Sequence, residues 1–439
     1  MNKIMYKLAN AAGVLMTLLL SLPAQAVIDG ISGPTFDLKA SAGYISTADG
    51  NNIYAWGFSE LNAPSTQTMQ YPGPTLIVNQ GDTVTINLTN TLPVKVSMIF
   101  PGQSNVIASN GGAGGSTPGL ITREANALSG KVKYTFVATE PGTYMYQSGT
   151  QQEMQVEMGL VGALIVRPKV ADPLHQAYNH VNTTFTHEYL FLLSEMDPTI
   201  HAKVESQVLA GVSPIVDMSS WTATIWFING RTAPDTLLDK NVPWLPNQPY
   251  NCVPRLHPGE KLLMRVVHTG RDLHPFHTHG NNTLMIARDG RMLESAPGMG
   301  PDLATSNYTL QTIPGQTYDA TFEWTGSGLG FDIYGHAPGD PMQPFESAAD
   351  HGLPFPQVAP GQALTLPNVL DRTDGDFYGG SPFLGVDEPP RPGQVQANLF
   401  GGYFHMWHSH AEREITNDNV YPGGMMTMVV IEPHGVPIP

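Results

Sequence analysis

The chain has a single cysteine, Cys252, so no disulfide can form within it. Its stability must come from packing, and Cys252 reads as a small buried residue at the start of a strand. No histidine stands directly beside it, which argues against a metal-binding thiol. Charge is also scarce: 13% of residues are charged, and acids outnumber bases 37 to 21. The formal charge of −16 excludes electrostatic binding of nucleic acid. Long runs with helical apolar spacing are hard to find. Beyond the first segment, no apolar run is long enough to span a bilayer.

That first segment has a recognisable layout. Lys3 and Lys7 precede an apolar run from Leu8 to Leu22, broken by Asn10 and Gly13, and Ala24-Gln25-Ala26 follows. This is the pattern of a secretory signal peptide over 1–26, with a mature chain from Val27. Its two lysines are its only charged residues, so cleavage takes the formal charge to −18. The expectation is a periplasmic or secreted protein with no transmembrane span after cleavage.

What the chain has in quantity is glycine and proline, 45 and 38 residues. Between them run short alternating segments, which favour β-sandwiches. In Thr83–Thr89 the alternation puts Val84, Ile86 and Leu88 on one face. Val132–Phe136, Thr143–Tyr146 and the apolar Leu160–Val166 follow, and Pro168 closes a first domain over 27–168. The same logic repeats in His187–Leu193, Thr224–Ile228, Lys261–Val267, Tyr318–Trp324 and Thr427–Ile431, which gives a second domain over 169–439. From about 335 to 392 the pattern dissolves into Pro, Gly, Asp and Phe. This reads as a long irregular insertion, either a lid or interaction surface or plain decoration. A homo-oligomer or partner protein would be joined through it.

The chain has fifteen histidines, unevenly spread. Three lie in His274-Pro-Phe-His277-Thr-His279 and three in His405-Met-Trp-His408-Ser-His410. Imidazole is a common ligand for Cu, Zn, Fe and Ni. On a strand, residues two apart share a face, roughly 7 Å apart. His277 and His279 therefore form one clamp and His408 and His410 another. On adjacent strands the two clamps would meet. By the same parity His274 looks the other way, as do His405, Trp407 and Ser409. The alternative is a set of hydrogen-bonded histidines left from an ancestral site. His175, His180, His187, His201, His257, His351 and His434 read as isolated residues, and His268 and His336 as outer neighbours of a site at most.

At this point the chain resembles the multicopper oxidases, such as laccases. Tyr71-Pro-Gly-Pro-Thr75 with Gly81-Asp82-Thr83-Val84 is similar to the family's first-domain signature. Gly159-Leu160-Val161-Gly162 is similar to a second, His274-Pro-Phe-His277-Thr-His279-Gly280 to its His-Pro-x-His-x-His-Gly, and His408-Ser-His410 to its final His-Cys-His. The resemblance implies two cupredoxin-like Greek-key β-sandwich domains, all-β, and copper as cofactor. It also shows what is missing. Ile99 and Pro101, and Gln147 and Gly149, stand where two further His-x-His pairs would hold a three-copper cluster. Ser409 stands where the cysteine of the electron-entry copper would be. His274 matches the first histidine of that site, Glu414 falls near the second, and Met425 is a candidate third group.

The expectation is an exported copper-binding protein with a reduced site on His277, His279, His408 and His410, holding one or two ions. His274, Glu414 and Met425 form a possible second metal site. Glu412, Glu414, Asn417 and Asp418 are either carboxylate ligands for a harder ion such as Mn, an outer shell, or a solvated loop. Met145, Met154, Met158, Met425, Met426 and Met428 suit Cu(I), but gap-filling in a core is the commoner role of methionine. A redox enzyme that is not a standard laccase is one functional expectation. A non-catalytic copper carrier or store, and a structural module with decayed sites, are the others.

Overall fold

The computed structural model describes residues 28–109, 123–328, 332, 336–342, 346–353, 403–432 and 436–438. The expected leader, 1–26, and most of the expected insertion, from 354 to 392, lie outside the described residues.

The first strands are β1 Ile31–Ser32, β2 Thr35–Ser46, β3 Asn52–Glu60, β4 Gly73–Asn79, β5 Thr83–Asn90, β6 Ile107–Ser109, β7 Lys131–Val137, β8 Gly142–Gln147 and β9 Val161–Arg167. They form two sheets, β1-β4-β9-β8 and β3-β2-β5-β7-β6. Both sheets contribute to one core that includes Trp56, Phe58, Leu76, Ile86, Tyr134 and Leu164. The later strands are β10 His187–Met196, β11 Ile225–Ile228, β12 Arg255–Leu256, β13 Lys261–His268, β14 His274–Thr278, β15 Thr283–Arg288, β16 Arg291–Met292, β17 Thr305–Asn307, β18 Thr309–Thr312, β19 Thr317–Glu323, β20 Tyr403–Ser409 and β21 Met426–Ile431. They form a sheet β11-β10-β13-β19-β15-β16, with β17 beside β15, and a second sheet β12-β21-β20-β14-β18. Phe191, Met264, Phe276, Phe322 and Trp407 lie in the core between them.

The structure is all-β in its framework, as the alternating runs predict. In β5, Val84, Ile86 and Leu88 are buried, and Thr83, Thr85, Asn87 and Thr89 between them are not. β9 is buried at every position, and the packing explains why. Leu164 and Val166 enter the first core. Ala163 and Ile165 pack with Leu190, Leu192 and Val267 of the later sheet. A strand covered on both faces reads as a continuous apolar run. Cys252 is buried in the second core, as expected, and burial pushes its thiol pKa up.

Several elements have no counterpart in the alternating runs, among them β2, β3 and the helix Pro198–Leu209. The Asp197 side chain accepts the Thr199 amide at 2.9 Å and Pro198 opens the first turn, a standard start signal. Ile200, His201 and Val204 are its buried face, and the His201 Nδ1 contacts the Tyr54 carbonyl at 2.5 Å on β3.

Candidate metal centre

β14 and β20 are neighbours in the middle of the last sheet, and their register decides the site. Phe276 pairs with Ser409, His277 with His408 and Thr278 with Trp407. The amide of His279 donates to Met406 O at 3.3 Å, and that of His410 to Pro275 O at 2.8 Å, which extends the ladder at both ends. Residues opposite each other in an antiparallel pair share a face. One face therefore carries Phe276, Trp407 and Ser409, all fully buried. Trp407 packs against Phe191 at a tilt and edge-on to Phe322, with ring centres 5.8 and 4.9 Å away. The other face carries His277, His279, His408 and His410.

Three of these four imidazoles converge. His277, His279 and His408 are buried and each offers a ring nitrogen, all within 4.8 Å of one another. The Nε2 atoms of His279 and His408 are 3.1 Å apart. His410 is exposed, with its ring centre 5.0 Å from that of His277 and 5.6 Å from that of His408, so it stands at the rim of the trio. The rings are held from behind. His408 Nδ1 lies 2.7 Å from the Ser409 carbonyl, which can only accept. The proton is therefore on Nδ1, and Nε2 presents its lone pair to the centre. Burial lowers the His408 pKa, which favours an unprotonated Nε2. His277 Nδ1 is 2.9 Å from Thr309 Oγ1, and the Trp407 indole donates to the His279 carbonyl at 3.0 Å. Outer hydrogen bonds of this kind orient metal-ligating histidines.

The opposite face holds the second candidate set, and it is built differently. His274 Nε2 is 2.8 Å from Glu195 Oε2, and its Nδ1 is 2.9 Å from Glu414 Oε2. Ser409 Oγ donates to the same Glu414 oxygen. Burial alone would lower the His274 pKa, but the two carboxylates outweigh it and raise the value to about 9. His268 stacks on His274 with ring centres 4.4 Å apart. Burial, then the charge of His274, lowers its pKa to about 3. Met425 is fully buried in the second core, and its backbone bonds Glu414 O and the Ser409 amide. The structure thus brings His274 and Glu414 together as an imidazolium between carboxylates. Both ring nitrogens are engaged and no thiolate is present, so these residues do not fit an electron-entry copper of the blue type.

The first-domain positions do not fit copper either. Ile99 and Gln147 bond each other through their backbones at 2.8 and 3.1 Å, and their side chains are a hydrocarbon and an amide. The methionines mostly fill cores: Met154 and Met158 in the first, Met425 in the second, and Met145 between the sandwiches. The polar stretch after the second clamp divides. Glu414 and Asn417 are buried, while Glu412 and Asp418 are exposed.

Glu195 is the residue the sequence reading missed here. It sits in an apolar strand, His187–Met196, and an acid inside such a run is the one signal that could have found it. His187 and His257 are likewise not isolated, since both contact Glu260 Oε2, at 2.7 and 3.1 Å.

Comparison with known proteins bears on the family and the fold. Residues 62–171 match the family model described as multicopper oxidase. A putative laccase of Oryza sativa subsp. japonica is 27% identical over 263 residues, covering 57% of this chain and 40% of the relative. A copper resistance protein A homolog of Pseudomonas syringae pv. tomato is 28% identical over 163 residues, covering 37% and 24%. The chain thus spans less than half the length of these curated relatives. Among solved structures, the blue copper oxidase from Nitrosomonas europaea superposes with a TM-score of 0.55 at 18% identity, covering 91% of this chain and 85% of that one. Its fold is the cupredoxin-type sandwich, and this chain shares it.

Proposed function

Since this chain belongs to the multicopper oxidase superfamily, with copper as the cofactor that membership implies, we propose that it binds copper on His277, His279 and His408 and does not follow the laccase route. The observation that carries this reading is the trio itself. Its ring nitrogens lie within 4.8 Å of one another, and the His408 tautomer is fixed so that Nε2 faces inward. Copper held by nitrogen donors can cycle between Cu(I) and Cu(II).

The chain's own residues supply the rest. Thr309 and the Ser409 carbonyl orient the rings. Phe276 and Trp407 hold both strands from the core side. His410, exposed at the rim, is the side chain a solvent-borne ligand meets first. Among the described residues no set for a three-copper cluster or a thiolate-bound copper accompanies the trio, so four-electron reduction of dioxygen is not expected. The leader pattern of 1–26 supports action outside the cytoplasm. Among the described residues no helix is long and apolar enough to cross a membrane.

The test is to load the full mature chain with copper, remove the excess, and measure bound metal with an electron paramagnetic resonance spectrum. Stoichiometric copper, a nitrogen-ligated signal and no intense blue band are expected. His279→Ala with His408→Ala should abolish retention. Equal copper in wild type and double variant would remove the site assignment. A single-site redox activity is the second reading, favoured by the exposure of His410. A copper-dependent turnover lost in the double variant would establish it over a carrier.

A further inference from the structure

A second cluster of ligand-type side chains lies outside the β14–β20 face. Asp332, His336, Glu346 and His351 each offer one ligand atom, and the four atoms lie within 4.8 Å of one another. His336 Nδ1 is 3.3 Å from Asp332 Oδ2 and 2.5 Å from Glu346 Oε1. His351 Nδ1 is 3.7 Å from Asp332 Oδ2 and 3.1 Å from Glu346 Oε2. Four ligands placed about 2.0–2.1 Å from a tetrahedral zinc ion stand about 3.3–3.4 Å from each other. The distances from His336 and His351 to Asp332 Oδ2, 3.3 and 3.7 Å, and from His351 to Glu346 Oε2, 3.1 Å, lie near that value, while the direct 2.5 Å contact of His336 with Glu346 Oε1 would open to admit an ion.

The hydrogen bonding of His351 points the same way. Its Nε2 lies 2.9 Å from the Asp340 carbonyl. A carbonyl only accepts, so Nε2 carries a proton. A neutral ring then aims the lone pair of Nδ1 at two carboxylates, which are acceptors as well. Either the ring holds a second proton or a cation sits between these groups. The backbone carbonyl on the far nitrogen is the usual outer partner of a metal-bound histidine. Asp332 is similarly held, because its Oδ2 accepts the Gly352 amide at 3.1 Å. The carboxylates of Asp332 and Glu346 are only 4% and 6% exposed, so two acids leave water together here.

We propose that Asp332, His336, Glu346 and His351 form a binding site for a divalent first-row transition ion, with zinc as the type case, separate from the copper centre. Two imidazoles and two carboxylates make a mixed N2O2 set suited to such ions, while the absence of sulfur disfavours Cu(I). The ion joins two stretches, 332–342 and 346–353, that contain no helix or strand among their described residues. It acts there as a clasp between the two stretches. His351, expected to be isolated, instead meets Glu346, and its ring centre is 5.6 Å from that of His336, which was expected as an outer neighbour of a site at most.

The test uses the full mature chain. Metal-stripped protein is dialysed against zinc, the excess is removed, and bound zinc is measured by mass spectrometry. The same is done for His336→Ala with His351→Ala, and for His279→Ala with His408→Ala. The proposal expects the 336/351 variant to hold one equivalent of zinc less than wild type. It also expects the 279/408 variant to keep that equivalent, so this site and the copper centre can fail separately. Should the alanine variant not fold, Asp332→Asn with Glu346→Gln replaces it. Cobalt(II) is the spectroscopic probe, and intense visible bands from a four-coordinate site should appear in wild type and be lost in either variant of the cluster. Equal zinc in wild type and the cluster variants, or no zinc retained by wild type, would overturn the proposal and leave imidazolium–carboxylate ion pairs as the explanation.

Discussion

His274 shows how much one buried side chain can decide. With Glu195 at 2.8 Å and Glu414 at 2.9 Å, the folded protein holds the ring protonated and raises its pKa from 6.5 to about 9. The unfolded chain lets the same proton go near pH 6.5. A group with a raised folded pKa gives its full stabilisation below the unfolded value, and loses it as pH rises through the folded one. The interval from 6.5 to about 9 is worth roughly 3 kcal/mol. Unfolding midpoints in urea should therefore fall as pH is raised from 6.5 to 9. His274→Gln should be less stable at pH 6 and should lose that slope. An unchanged slope in the variant would mean that the proton is not held there. Ser409 belongs to the same argument. A thiolate in its place would compete for the position where its hydroxyl now serves Glu414.

At the level of elements, strand parity carried the reading furthest. The period of two is fixed by backbone geometry, so the facing of His277 with His279, and the turning of Trp407 and Ser409 to the core, were legible from spacing alone. So were the apolar runs that became β5, β9, β13 and β19. What was not legible depends on contacts between distant segments. Glu195 meets His274 across 79 residues, and the parallel pairing of β10 with β13 has no local signature. The cluster at 332–351 lies in chain without periodicity, so nothing in the spacing marks it. The ladder of β14 and β20 also makes a testable claim about support. Trp407 donates to the His279 carbonyl at 3.0 Å while its ring fills the core. Trp407→Phe removes the donor and some volume, and should cost about 1–3 kcal/mol of stability. Because that carbonyl belongs to a trio residue, copper affinity in a competition titration should fall as well. Lost stability with unchanged affinity would show that the indole supports the core without positioning His279.

The two sandwiches meet through two apolar clusters and a buried ionic network. Ile45, Ile53 and Tyr71 of the first sandwich pack with Met196, Ile225 and Phe227 of the second, and Met145 and Ile165 pack with Leu192 and Val267. Beside these patches in sequence, Arg167 of β9 pairs with Glu188 of β10, whose other oxygen is 2.8 Å from Arg167 Nη1 and also from Arg265 Nε of β13. Thr143 of β8 donates to Asp319 at 2.5 Å and accepts from Arg265 at 3.0 Å, and Tyr178 donates to Asp319 as well. Burial would raise the Glu188 pKa, but the two guanidinium groups hold it below the usual carboxylate value. A buried charge network contributes little beyond an apolar one while complete, yet removing one member leaves the others desolvated and unmatched, at a cost of about 3–5 kcal/mol. Arg265→Met should therefore destabilise the protein by about that amount despite its similar bulk. Since the network and both apolar patches span the junction, the wild type should unfold in one calorimetric transition. The variant should show the sandwiches melting separately, with the first less affected because its core lies apart from Arg265. Two resolved transitions in the wild type would mean that the junction does not couple the sandwiches, and the loss in Arg265→Met would then be confined to the second.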